Sequence, residues 1–104
     1  MELRGKTKTI HNCKGITKIE ELPTPWNFDG SSTKQATGDN SEVFLKPVRI
    51  CPDPFRGAPH IIVLCETYSD LNLTIPGRTN FRYYAKKIFD ALLDEKPWFG
   101  IEQE

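Results

Sequence analysis

The sequence predicts an α+β domain in which one helix packs on one face of a mixed sheet. Three observations carry that expectation. The chain has 104 residues, enough for one small domain that buries about two-thirds of the surface its unfolded form exposes. Phe81, Tyr84, Ala85, Ile88, Phe89 and Leu92 return to one side of a 3.6-residue repeat, the mark of a helix with a single apolar stripe. Two runs, Val43 to Ile50 and Ile61 to Thr67, have strand length and strand composition. A lone amphipathic helix must bury its stripe against something, and a sheet is the economical partner.

Taken in order, Leu3 to Ile10 reads as a strand, with Thr7 and Thr9 alternating with charged residues. His11 to Pro25 is polar and turn-rich. Trp26-Asn-Phe-Asp-Gly-Ser-Ser-Thr33 and the small polar residues up to Ser41 read as a loop, because glycine and short Asp, Asn and Ser side chains favour turns. Trp26 and Phe28 are bulky for a loop and are expected to pack against something. In Val43 to Ile50, Pro47 gives no N–H to a ladder, which confines the run to an edge or to two short strands. Cys51-Pro-Asp-Pro-Phe-Arg-Gly57 is a rigid loop before the apolar strand Ile61 to Thr67. Tyr68 to Gly77 turns back, and Thr79 or Asn80 can cap the helix. Pro97 ends the linker after the helix, and Trp98 to Glu104 reads as a last strand.

Composition excludes several classes. Lys and Arg number 14, equal to Asp and Glu, so no net field draws the chain to nucleic acid or an anionic membrane. No basic cluster with interleaved aromatics appears. The longest apolar run, Ile61 to Cys65, is far short of the ~20 residues that span a bilayer, and the first residues do not form a signal peptide. Three widely spaced cysteines, Cys13, Cys51 and Cys65, fit neither a disulfide framework nor a zinc site. Free thiols in a reducing, cytoplasmic setting are expected.

Four blocks in order resemble glutamine synthetase of the eukaryotic type. They are Trp26-Asn-Phe-Asp-Gly-Ser-Ser32 with Asn40-Ser-Glu-Val-Phe-Leu45; Asp53-Pro-Phe-Arg-Gly57 with Ile61 to Tyr68; Thr79-Asn80 opening the helix; and Pro97-Trp-Phe-Gly-Ile-Glu-Gln-Glu104. The resemblance covers nearly the whole chain and implies the family's amino-terminal β-grasp domain over residues 1–104, ending at the first strand of a catalytic domain. It departs from the family in two places. Another strand usually precedes the Glu2 to Thr7 segment, and a much longer catalytic domain usually follows Glu-Gln-Glu.

Read locally, Asp29 is a turn aspartate that bonds nearby backbone N–H groups. The resemblance implies more: that Asp29 helps bind ammonium and remove its proton in a site shared with a neighbouring subunit, with Ser32 close by. A carboxylate suits that work, since it attracts a cation and can accept a proton. Glu102 and Glu104, two apart in an extended strand, project from the same face, and hard divalent ions prefer such oxygens. By resemblance they bind Mg2+ or Mn2+, Glu102 at the nucleotide-side ion and Glu104 at the glutamate-side ion. Read locally, the same pair is a solvated chain end.

The implied parent is an ATP-dependent ligase that joins ammonia to L-glutamate through γ-glutamyl phosphate. Its subunits form two stacked rings, a homo-oligomer with active sites between subunits. No nucleotide-binding residue is assigned in this chain. By itself the chain is expected to bind neither metal nor ATP tightly and to be inactive. The competing reading is a stand-alone β-grasp module that binds a protein partner and does no chemistry. Arg56 is expected to pair with Asp53 or lie at a subunit contact, His11 and His60 to be surface residues, and Cys65 to act as a small core hydrophobe.

Overall fold

The computed structural model describes residues 4–11 and 13–103. Three strands form one sheet in the order β1-β2-β3, with β1 at Trp26–Asp29, β2 at Glu42–Pro52 and β3 at Ile61–Tyr68. One helix, α1, spans Phe81–Ala91, and short 3-10 turns lie at Ile19–Glu21 and Leu93–Glu95. The α+β, β-grasp-like class therefore stands. Every pairing among these described strands is antiparallel.

β2 is the spine. Its first residues pair with β1, from Asp29 opposite Glu42 to Trp26 opposite Leu45, and from Phe44 to Pro52 it pairs with β3. Pro47 lies just past the end of the β1 pairing, where β2 has an open edge, and the β3 register slips between Pro47 and Arg49. The missing N–H is thus absorbed by an edge and a bulge, and the strand continues.

Three local expectations need correction. Trp26–Asp29 is a strand, because Phe44 and Leu45 on β2 supply the ladder that its turn-like composition hides. Residues 4–10 form no strand; they reach β1 through side chains, Lys6 Nζ donating to the Asn27 carbonyl at 2.6 Å and Lys8 Nζ lying 5.4 Å from the Trp26 ring centre. Leu3 lies outside the described residues. Residues 98–103 are likewise irregular, with the Trp98 side chain 96% exposed; an extended segment with no neighbour to pair has no ladder to hold it. Glu104 lies outside the described residues.

The helix starts where Asn80 caps it. Asn80 Oδ1 accepts from the Tyr83 amide at 3.2 Å, while Nδ2 donates to the Thr67 carbonyl at 2.9 Å. Only the first turn of α1 meets the sheet. Tyr83 packs edge-to-face on Tyr68 with ring centres 6.3 Å apart, and Arg82 Nε lies 3.1 Å from Glu66 Oε1. The apolar stripe runs on uncovered, with Phe81, Tyr84, Ile88, Phe89 and Leu92 all exposed. Burial is concentrated elsewhere, at Val43 and Tyr68 and at the polar Asp53, Glu66 and Asn80. No buried polar side-chain atom among the described residues lacks a partner, as low-polarity surroundings require. No described helix is long and apolar enough to cross a membrane.

Candidate functional site

The last residue of β1, Asp29, begins a tight turn. Its Oδ1 accepts from the Ser31 amide at 2.9 Å and the Ser31 hydroxyl at 2.6 Å. The turn reading of Asp29 is therefore correct, and the side chain is nonetheless exposed. Both bonds fall on Oδ1, and among the described residues no hydrogen bond reaches Oδ2. The Ser31 hydroxyl, then its amide, hold the Asp29 carboxyl below the usual carboxylate range, with a further contribution from the Arg4 charge. A carboxylate kept ionised in this way attracts a cation and takes up a proton less readily.

Beneath it, Gly30 is buried. Its amide donates to the Ser41 carbonyl at 2.7 Å, and its carbonyl accepts from the Gln35 amide at 2.8 Å and the Thr33 hydroxyl at 3.1 Å. A Cβ placed on Gly30 would stand 2.3 Å from Val43 Cγ2. The glycine is needed for this close approach to β2, rather than for an unusual backbone angle. Gln35 then reaches Thr79 next to the helix cap, its Nε2 donating to Thr79 Oγ1 at 3.1 Å. The turn is thus anchored to β2 below and to the entry of α1 beside it.

Ser32 is also exposed, and its hydroxyl accepts from the Arg4 guanidinium. Asp29 and Ser32 are therefore neighbours in one turn, with a cation supplied from 28 residues upstream. Sequence reasoning missed Arg4, and no local pattern could reveal so distant a contact. It also missed the cluster behind the turn. Glu66, 5% exposed, accepts from the Tyr68 hydroxyl at 3.1 Å and pairs with Arg82. Burial, reinforced by donation to Glu66, pushes the Tyr68 phenol up to about 12, so it stays protonated. The available signal was a carboxylate inside an otherwise apolar strand.

Arg56 pairs with Asp53, Nη1 to Oδ2 at 2.7 Å, and Asp53 Oδ1 also accepts from the Phe55 and Arg56 amides. That arginine is a loop brace. His11 and His60 are exposed, all three cysteines are free, and Cys65 is half-buried with its thiol pushed up by burial.

Glu102 is exposed on an irregular segment, and its intended partner Glu104 lies outside the described residues. Its oxygens are the hard donors that Mg2+ or Mn2+ prefer, yet no group of three metal-binding side chains exists among the described residues.

Comparison with known proteins agrees with the architecture. The model of the glutamine synthetase β-grasp domain matches residues 1–70. The chain is 52% identical over 102 residues to a glutamine synthetase of Agaricus bisporus, which covers 98% of this chain and 27% of that protein. It is 48% identical over 103 residues to one of Fusarium solani subsp. phaseoli, covering 99% and 28% respectively. Against one of Candida glabrata it is 51% identical over 102 residues, covering 98% and 26%. The chain thus spans about a quarter of the length of the curated relatives it matches.

Proposed function

Since this chain belongs to the glutamine synthetase family through its β-grasp domain, we propose that it is the amino-terminal part of an ATP-dependent ligase that makes glutamine from L-glutamate and ammonium. In the reaction, the γ-phosphoryl group of ATP passes to the side-chain carboxylate, giving γ-glutamyl phosphate and ADP. Ammonia then attacks the acyl carbon, phosphate leaves with the electron pair of the broken C–O bond on its bridging oxygen, and the new nitrogen sheds one further proton to give the amide.

The part assigned to this chain is the ammonium step. Ammonium is not a nucleophile until it loses a proton. Asp29 draws the cation to the turn and receives that proton, and Ser32 offers a hydroxyl beside it. The observation that carries this reading is an ionised carboxylate exposed at the tip of β1, braced from behind by Ser31 and Gly30, with Oδ2 turned to no described partner. A firmly ionised base holds the cation well, and its proton must pass on quickly.

In the same reading, Asp29 serves an active site on a neighbouring subunit of a ring, and Glu102 and Glu104 are carboxylates for Mg2+ or Mn2+. Such ions offset charge between anionic oxygens during phosphoryl transfer. The remaining donors and the ATP site would come from polypeptide other than these residues, so 104 residues alone make no glutamine. A reducing, cytoplasmic setting fits the three free thiols.

The test is Asp29→Asn in the complete subunit. Ammonium-dependent glutamine formation is expected to fall about 100-fold, the low end for loss of an acid–base group. ADP release from glutamate and ATP, read without ammonium, should change little. Equal loss of both steps would remove Asp29 from the role.

A further inference from the structure

Arg4, Lys6 and Lys8 occur at every second position, and each reaches β1 or the turn that follows it. Lys6 Nζ donates to the Asn27 carbonyl, Lys8 lies over the Trp26 ring, and Arg4 Nη1 donates to Ser32 Oγ. The segment is laid along β1 by three separate side-chain contacts, with no backbone ladder to fix it. It ends at the one turn to which a cationic substrate has been assigned.

Resting on that assignment, we propose that Arg4 is a built-in counter-cation of the Asp29–Ser32 turn, competing with ammonium for the turn's negative field and so setting the ammonium concentration at which the site fills. A guanidinium is charged at every accessible pH, so its field on the turn is constant. Ammonium must enter beside a like charge and share the Ser32 oxygen, which has already accepted one donor. Each of these raises the concentration needed for half-saturation. At saturating ammonium the competition is overcome, so the effect belongs to KM for ammonium and leaves KM for glutamate and ATP untouched.

The experiment uses the complete subunit with Arg4→Ala, Arg4→Lys and Asp29→Asn, measured for ammonium KM and kcat. In Arg4→Ala the ammonium KM is expected to fall about two- to fivefold, the size of effect an exposed charge pair carries, while Arg4→Lys stays near the parent value because the charge is kept. An unchanged or raised KM in Arg4→Ala, with a raised KM in Asp29→Asn, overturns the role of Arg4 and leaves that of Asp29 standing. An unchanged KM in Asp29→Asn overturns the ammonium assignment itself, and this inference with it. A readout independent of turnover is the Asp29 carboxyl followed by NMR in this chain. Its titration should move upward in Arg4→Ala, and an unmoved titration overturns the proposal.

Discussion

Between Trp26 and Gly77 the chain builds a small core of its own while leaving Phe55, Leu64, Leu71 and Ile75 exposed, whereas from Phe81 onward none of its described apolar side chains is buried. In the first region, Gly30 and Asp53 sit under two or more hydrogen bonds each, Glu66 under one hydrogen bond and one ion pair, and Val43 and Tyr68 are almost fully buried. In the second, Ile88 is 60% exposed and Trp98 96%. The amphipathic pattern is as strong in α1 as any in the chain, yet only its first turn finds the sheet. A sequence pattern states which face must be covered; it does not state by what. The turn that carries Asp29 is tied to β2 and, through Gln35, to Thr79 just ahead of the helix, so its geometry is set without help from the helix stripe.

The sharpest way to break that contrast is at Gly30. Gly30→Ala puts a methyl group 2.3 Å from Val43 Cγ2, against one of the two buried apolar side chains and in a turn whose backbone is tied to Ser41 and Gln35. Neither side can yield freely, and a loss of about 3 kcal/mol is expected, at the upper end for overpacking. Urea unfolding of the chain measures it. If the cost is under about 0.5 kcal/mol, the turn is looser than its hydrogen bonds imply.

How much of this could be seen in residues alone differs between the same two regions. α1 was legible because its period is intrinsic to local sequence, and β2 and β3 because residue type and run length agreed. β1 was not, since Asn27, Asp29 and Gly30 read as turn formers; its strand exists only because Trp26 and Phe28 face Leu45 and Val43 across a non-local register. Residues 4–10 failed in the opposite direction, having an alternating pattern but no ladder. Asp29 as a turn residue was legible from its Gly-Ser-Ser context, while the Arg4 contact was decided entirely by tertiary placement.

Glu66 tests whether the first turn of α1 is held by the sheet or merely lies beside it. Glu66→Ala removes the acceptor of the buried Tyr68 hydroxyl and the partner of Arg82. Arg82 is half-exposed and can turn to water, so the main cost is the unpaired phenol, about 2 kcal/mol. A double-mutant cycle with Arg82→Ala should give a coupling of roughly 1 kcal/mol or less, because one partner is solvated. A coupling near zero would mean that Tyr83 stacking and the Asn80 cap, and not the ion pair, dock the helix.

The smallest effect is expected at Asn80, and it discriminates most finely. Asn80→Ala deletes a helix cap, which costs about 1 kcal/mol, together with the bond from Nδ2 to the Thr67 carbonyl. If the two regions are joined chiefly through the first turn, the loss should appear as faster amide exchange along Phe81–Ala91, with the amides of β2 and β3 unchanged. Helix amides have no second surface to protect them once the cap is gone, since their stripe is already in solvent. Exchange that quickens equally in β3 would mean that the sheet leans on the helix as much as the helix leans on the sheet, and the division drawn between them would not hold.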